Sequence, residues 1–213
     1  MFMENLKSKI ILRDLNENDF EDIEKIISDT WHYNDFCSQG NAKKLSQIFL
    51  YSCLVKQSFA KVAELNGKAV GIIIGRHDAS YKKSFRYIWK SAVKTASLVS
   101  KKSGRKAAKI FLGVNGTDKE LLKECNKKFD GEAVFFAVGA DCRGCGVGKI
   151  LFNSFVEYMK DKKADNFFLF TDTSCNYKFY EHQNLVRRGQ KEMQLELGNK
   201  KENMQFFIYE CNL

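Results

Sequence analysis

The sequence contains no proline and no run of about 18 apolar residues. The second absence leaves no candidate membrane-spanning helix, and Met1 to Lys9 lacks an apolar core of signal-peptide length. A soluble, cytoplasmic protein is the expectation. Internal repeats and low-complexity tracts are missing as well. Among the seven cysteines only Cys142 and Cys145 form a C-x-x-C pair, with no second pair at zinc-finger spacing. An odd cysteine number scattered from Cys37 to Cys211 fits a reducing compartment. No metal site is expected, and the Cys142/Cys145 pair reads as incidental small residues of a glycine loop.

What is present suffices for a folded domain. A hydrophobic share of 44% with 13% aromatics supports a packed core and argues against disorder. The length of 213 residues fits one domain, 1–213, with room for an insertion. The net charge of +9 is unevenly placed. Between Arg76 and Ile110 eleven Lys and Arg residues face the single acid Asp78, so that stretch carries the whole excess.

Hydrophobic periodicity gives a mixed α/β layout. A short strand is predicted at Lys9–Leu12. A helix follows, with Phe20, Ile23, Ile27 and Trp31 in one stripe and polar capping types ahead of it. A second helix covers Ala42–Gln57. Strand-like runs at Ser58–Glu64 and Lys68–Gly75 flank Asn66-Gly67, a tight-turn signal. Residues 76–130 read as a basic, helical insertion between strands 3 and 4. Its first helix has Tyr81, Phe85, Ile88, Trp89, Ala92, Ala96 and Val99 as an apolar stripe ending at Ser103-Gly104. A second, short helix spans Asp118–Lys128. Glu132–Val138 is a buried strand, then come a helix from Val147 to about Lys163, a strand at Asn166–Thr171 and a short helix at Asn176–Gln183. Two strands, Val186–Glu196 and Met204–Cys211, close the chain around a turn at Gly198-Asn199. The fold class is α/β (α+β): a mixed, mostly antiparallel sheet of six to seven strands flanked by helices.

Gly144, Gly146 and Gly148 stand between the buried strand and the helix after it. Glycines let backbone approach a ligand, and the helix start offers unpaired N–H groups and partial positive charge. With Arg143 at the entrance, the loop suits a phosphate or pyrophosphate. It is not a Walker loop, because Arg143 and Ile150 occupy the positions of its first Gly and its Ser/Thr. Lys149 replaces the third Gly of a dinucleotide fingerprint.

The segment Phe136-Ala137-Val138-Gly139-Ala140-Asp141-Cys142-Arg143-Gly144-Cys145-Gly146-Val147-Gly148 resembles the acetyl-CoA signature of the GNAT superfamily of N-acetyltransferases. Ala140 stands where that signature commonly has proline. Ala63 to Gly71 resembles the family's hairpin, and Asn176-Tyr177-Lys178-Phe179-Tyr180-Glu181 its later helix. The usual Gly-Phe after that helix is here Asn184-Leu185, and Asn also accepts left-handed geometry. The resemblance covers nearly the whole chain outside 76–130. It implies acetyl-CoA as co-substrate and direct attack of an amine on the thioester. It implies that the backbone of Phe136, Ala137 and Val138 pairs with the pantetheine arm. N–H groups from Arg143 through Gly144, Cys145, Gly146, Val147 and Gly148 to Lys149 would hold the pyrophosphate. Asn176 would touch the pantetheine, and Tyr180 would protonate the departing thiolate.

An alkyl ammonium has a pKa near 10, so a base must take its proton before attack. Asp172 and Glu132, at strand ends, are the candidates, with Asp172 favoured by position and Glu64 behind them. Trp31, Tyr33 and Asp35 could wall the acceptor site or form a partly buried aromatic cluster. The acceptor is an amine-bearing small molecule or protein. For the basic segment three readings stand: packing on the domain or on a second subunit of a homodimer, binding an acidic partner including nucleic acid, or lying on a membrane surface. The rival function is a non-catalytic acyl-CoA-binding or regulatory module.

Overall fold

The computed structural model describes residues 9–197 and 200–213. In chain order the elements are β1 (Ile11–Asp14), α1 (Phe20–Thr30), α2 (Tyr33–Phe36), α3 (Gln39–Val55), β2 (Phe59–Leu65), β3 (Lys68–His77), α4 (Phe85–Val99) and α5 (Lys102–Glu124). They continue with β4 (Gly131–Val138), α6 (Val147–Asp161), β5 (Asn166–Asp172), α7 (Lys178–His182), β6 (Val186–Leu197) and β7 (Lys200–Asn212). The seven strands make one sheet in the order β1-β2-β3-β4-β5-β7-β6. All neighbours are antiparallel except β4 and β5.

Alternation along the strands sends side chains to two faces, and each face has its own helices. On one face Ile72, Ile74, Phe135 and Ala137 meet α1 and α3 through Ile23, Ile27, Leu50 and Leu54. On the other, Ile73, Phe167, Leu169, Phe207 and Tyr209 pack against α6 through Leu151, Phe152 and Phe155. The β2–β3 turn follows its sequence signal: Asn66 and Gly67 both take positive φ, 52° and 78°. Phe155 needs a glycine opposite it. A Cβ at Gly75 would lie 2.0 Å from the Phe155 ring, which is fully buried. Gly75→Ala is therefore expected to destabilise the protein by about 1–3 kcal/mol through overpacking. A urea-unfolding midpoint unchanged from the parent would contradict so close an approach of α6 to β3.

Several elements depart from the sequence reading. The first strand lies two residues later than Lys9–Leu12, because pairing with β2 engages Ile11 to Asp14. The helix placed at Asp118–Lys128 is the second half of α5, which starts at Lys102. Gly104 does not stop a helix but lies in the first turn of α5. A Cβ there would meet the Leu98 carbonyl oxygen at 1.9 Å, so glycine allows the tight turn between α4 and α5. The turn expected at Gly198-Asn199 lies outside the described residues.

The apolar stripe of α4 is also placed differently. Leu98 is buried and Tyr87 packs on the core, whereas Phe85 is 80% and Trp89 71% exposed. At about 100° per residue, positions 85, 89, 92 and 96 lie nearly opposite 87 and 98. Tyr87 stacks on Tyr51, their ring centroids 6.0 Å apart, and Glu17 gathers Arg86 and Lys90, fixing the helix by its less apolar side. Ile88, Ala92, Ala96 and Val99 line an open groove of about 690 Å³ that Ser52, Val55 and Lys56 close from α3. Among the described residues no helix is long and apolar enough to cross a membrane.

Candidate active site

β4 and β5 run parallel but are in register only at Glu132 and Phe168. A bulge on β4 near Val134, where the β3 register shifts, accompanies their parting. Beyond it the β5-facing edge of Phe136, Ala137 and Val138 has no strand partner among the described residues, while the other edge pairs with β3. Backbone N–H and C=O groups on the β5-facing edge, the Val138 carbonyl apart, are open to an extended ligand.

The glycine loop stands at the end of this opening. After a single 3-10 turn, Ala140–Cys142, Arg143 is extended, and Gly144 and Gly146 take φ of 77° and 83°. Any other residue would cost about 1–2 kcal/mol in that region. A Cβ at Gly144 would meet nothing within 4 Å, so the loop borders open space. Gly148 is not required in this way, since a Cβ there would make ordinary contacts with Phe136, Val138 and Phe179. Gly146 is the N-cap of α6 and no side chain caps the helix. Its first N–H groups and the positive end of its dipole are left for an anion. Arg143 Nε donates to the Val138 carbonyl at 3.1 Å, which holds the guanidinium beside the strand end and occupies that carbonyl. Lys149 is exposed in the first turn of α6. Cys142 is buried and Cys145 half-buried, both as free thiols.

Tyr180 comes from α7, a short helix that needs outside support. Glu181 provides it, accepting from Arg187 and from the Tyr209 hydroxyl (2.8 Å), while Arg187 lies 4.2 Å over the Phe207 ring. Asn184 then ends the helix with φ of 60°, as its residue type allows. The Tyr180 ring sits among Phe136, Phe152, Phe179 and Tyr209 and is 9% exposed. Burial pushes its phenol well above the ordinary value, with Cys175 and Asp172 adding to the shift. Asn176 is exposed just ahead of the helix.

The acids named from the sequence are already engaged. Arg76 Nη1 lies 3.0 Å from Glu132, and Arg76 also holds Asp78. Asp172 accepts from the Ser174 amide at 2.7 Å and from its hydroxyl, capping the turn into α7. Glu64 pairs with Arg13 on β1. One further acid was not singled out from the sequence. Asp118, on α5, is lifted to about 7 by burial first, then by Glu132 and Asp172, with Lys56 opposing. Its signal in the sequence is position, an acid between Val114 and Leu121 in what becomes an apolar stripe.

Trp31, Tyr33 and Asp35 do not come together as one wall. The Trp31 ring lies 4.6 Å from Phe49 and 5.8 Å from Phe135, and Tyr33 is buried beside it. Asp35 is exposed, 3.9 Å from His32. The pair of rings belongs to the core under β4, which favours the aromatic-cluster reading.

Comparison with known proteins agrees with this geometry. Residues 101–184 match the model of the acetyltransferase (GNAT) family, a span that opens with α5 and ends after α7. That match covers less than half of the chain, and over the whole chain the fold is similar to that of solved N-acetyltransferases. Similar structures include an N-acetyltransferase from Staphylococcus aureus Mu50, with 14% identity, TM-score 0.51, and 95% of this chain and 98% of that one covered. PH1933 from Pyrococcus horikoshii OT3 has 16% identity and TM-score 0.59, covering 96% and 99%. The ribosomal-protein-alanine N-acetyltransferase from Brucella melitensis has 13% identity and TM-score 0.51, covering 95% and 99%. Among curated proteins none matches the sequence.

Proposed function

We propose that the protein transfers an acetyl group from acetyl-CoA to a primary amine by direct attack. The observation that carries this is the uncapped start of α6 behind Gly144 and Gly146, placed where β4 parts from β5. In this reading the N–H groups from Gly144 to Lys149 take the pyrophosphate, the Arg143 N–H being used by the Ala140 carbonyl, and the edge of Phe136, Ala137 and Val138 pairs with the pantetheine arm. Asn176 borders the same arm. The thioester then lies between the strands, near the Tyr180 ring.

Tyr180 supplies a proton to the departing thiolate. An ordinary tyrosine phenol is protonated at neutral pH, the form a donor needs, and lies within about one to two pKa units of a thiol. The amine half rests on family likeness. Structural neighbours include enzymes named for ribosomal-protein alanine and for agmatine, acceptors that share only an amine. The acceptor here belongs to that chemical class, small molecule or protein. Exposed Phe85 and Trp89 on a basic helix support a partner surface, a second copy of the chain included.

The test is release of free thiol from acetyl-CoA in the presence of an amine panel. Tyr180→Phe is expected to slow turnover by about 100-fold, as loss of a positioned proton donor does. Acetyl-CoA affinity should stay within about twofold by calorimetry. Binding without turnover on any amine would instead favour the regulatory acyl-CoA-binding reading.

A further inference from the structure

On α5, Val114, Leu121, Leu122 and Cys125 pack onto the sheet with Phe129, Phe168 and Ile208. Asp118 is four residues after Val114 and three before Leu121, so it belongs to the same helix face. The helix lies over β6 and β7, and Phe168 and Phe170 of the neighbouring β5 join its apolar cluster. Glu132 and Phe168 are partners across β4 and β5, and Phe170 and Asp172 follow Phe168 onto the same face by alternation. Asp118 thus shares the face that meets β5, beside the opening that has Glu132 at its base and Asp172 at the tip of one arm, and it feels the charge of both acids. Among the described residues no hydrogen bond or ion pair engages the Asp118 carboxylate. Both flanking acids differ in this respect, Glu132 being tied to Arg76 and Asp172 to Ser174.

We infer that Asp118 is the base that takes the first proton from the acceptor's ammonium, in the transfer proposed above and resting on that reading. The balance is simple. One ammonium proton moves to a carboxylate oxygen of Asp118, and the freed nitrogen lone pair bonds to the thioester carbonyl carbon. The C–S bond then breaks. The second nitrogen proton compensates the one delivered to the thiolate sulfur, and the Asp118 proton returns to water. Net products are the amide, the free thiol and one proton. A base should be poised near the working pH, and this carboxyl, lifted to about 7 by burial and its two acidic neighbours, is poised there. The charged groups facing it are Lys56 from the end of α3, Glu132 and Asp172. Lys191 on β6, which also touches α5, is held by Glu120 and Glu124. Lys56 also lines the groove between α3 and α4.

The experiment is a pH profile of kcat/KM with a simple alkylamine, for the parent protein, Asp118→Asn and Asp118→Glu. The parent rate is expected to rise to about pH 7 and then level off until the free amine's own pKa near 10. For Asp118→Asn the plateau should vanish, the rate climbing with pH throughout. That leaves a deficit of about 100-fold near pH 7.5 that closes towards pH 10. Acetyl-CoA affinity should be unchanged within about twofold, which also reports that the variant is folded. Asp118→Glu should keep a plateau at reduced height. An Asp118→Asn profile that superimposes on the parent's overturns the assignment, as does a plateau lost equally in Asp118→Glu. If the parent protein releases no thiol with any amine, the transfer reading fails on its own account.

Discussion

Gly146→Val is expected to abolish measurable acetyl-CoA binding while leaving a folded protein. Gly146 holds φ of 83° as the N-cap of α6, where a β-branched residue is badly strained. The chain will relieve that strain by rotating the loop, which turns the first N–H groups of α6 away from the pyrophosphate. Each charge-assisted hydrogen bond is worth about 1.5–3 kcal/mol. Losing two removes about 4 kcal/mol, roughly 1,000-fold in affinity. The stability loss should be smaller, about 1–2 kcal/mol, since Val147 and Leu151 still anchor the helix in the core. Calorimetric titration and thermal unfolding separate the two effects. Equal affinity in the variant would mean that the loop does not hold the phosphates.

The largest effect on stability is expected far from that loop. Glu210 on β7 has no exposed surface, and Lys127 and Arg188 reach it from the two sides. Burial alone would raise its pKa, but the bonds from Lys127 and Arg188 outweigh it and hold the carboxyl below its ordinary value. Changing both cations to Ala leaves a buried, uncompensated charge, which costs about 3–5 kcal/mol. Glu210→Gln removes the charge and leaves two half-exposed cations that water can solvate, so it should cost less. The sign with pH follows from the lowered value. The triad stabilises the folded protein above the ordinary glutamate range and ceases to do so as pH falls through and below it. Unfolding midpoints of the double variant and of Glu210→Gln, measured at pH 7 and pH 4, should therefore converge at the lower pH. A double variant as stable as its parent at pH 7 would show that the triad is not formed.

The glycine loop and the β2–β3 hairpin were legible because their chemistry is local. Positive φ at Asn66, Gly67, Gly144 and Gly146 is written in residue type. The continuous apolar strands β4 and β5 were legible for the same reason, each carrying its own signal. Tertiary geometry was not. Phe85, Trp89 and Ala92 form the more apolar stripe of α4, yet Tyr87 and Leu98 face the core, because Tyr51 and Glu17 offer partners on that side. Gly104 looked like a helix stop because glycine usually is one, whereas here it admits the Leu98 carbonyl. Asp118 was hidden by the same ambiguity. An acid ahead of Leu121 and Leu122 reads as the start of a helix, and only the extension of α5 back to Lys102 makes it an interior position facing the sheet. Glu132 and Asp172 were found as strand-end acids, but nothing local announced that Arg76 and Ser174 would occupy them.

Amide hydrogen exchange with and without acetyl-CoA tests the central claim most directly. Saturating acetyl-CoA is expected to slow exchange at Gly144 to Lys149 and along Phe136 to Val138, with little change on α4. Unchanged exchange in both segments, at a concentration where binding is detected by calorimetry, would contradict the acetyl-CoA site placed at the start of α6.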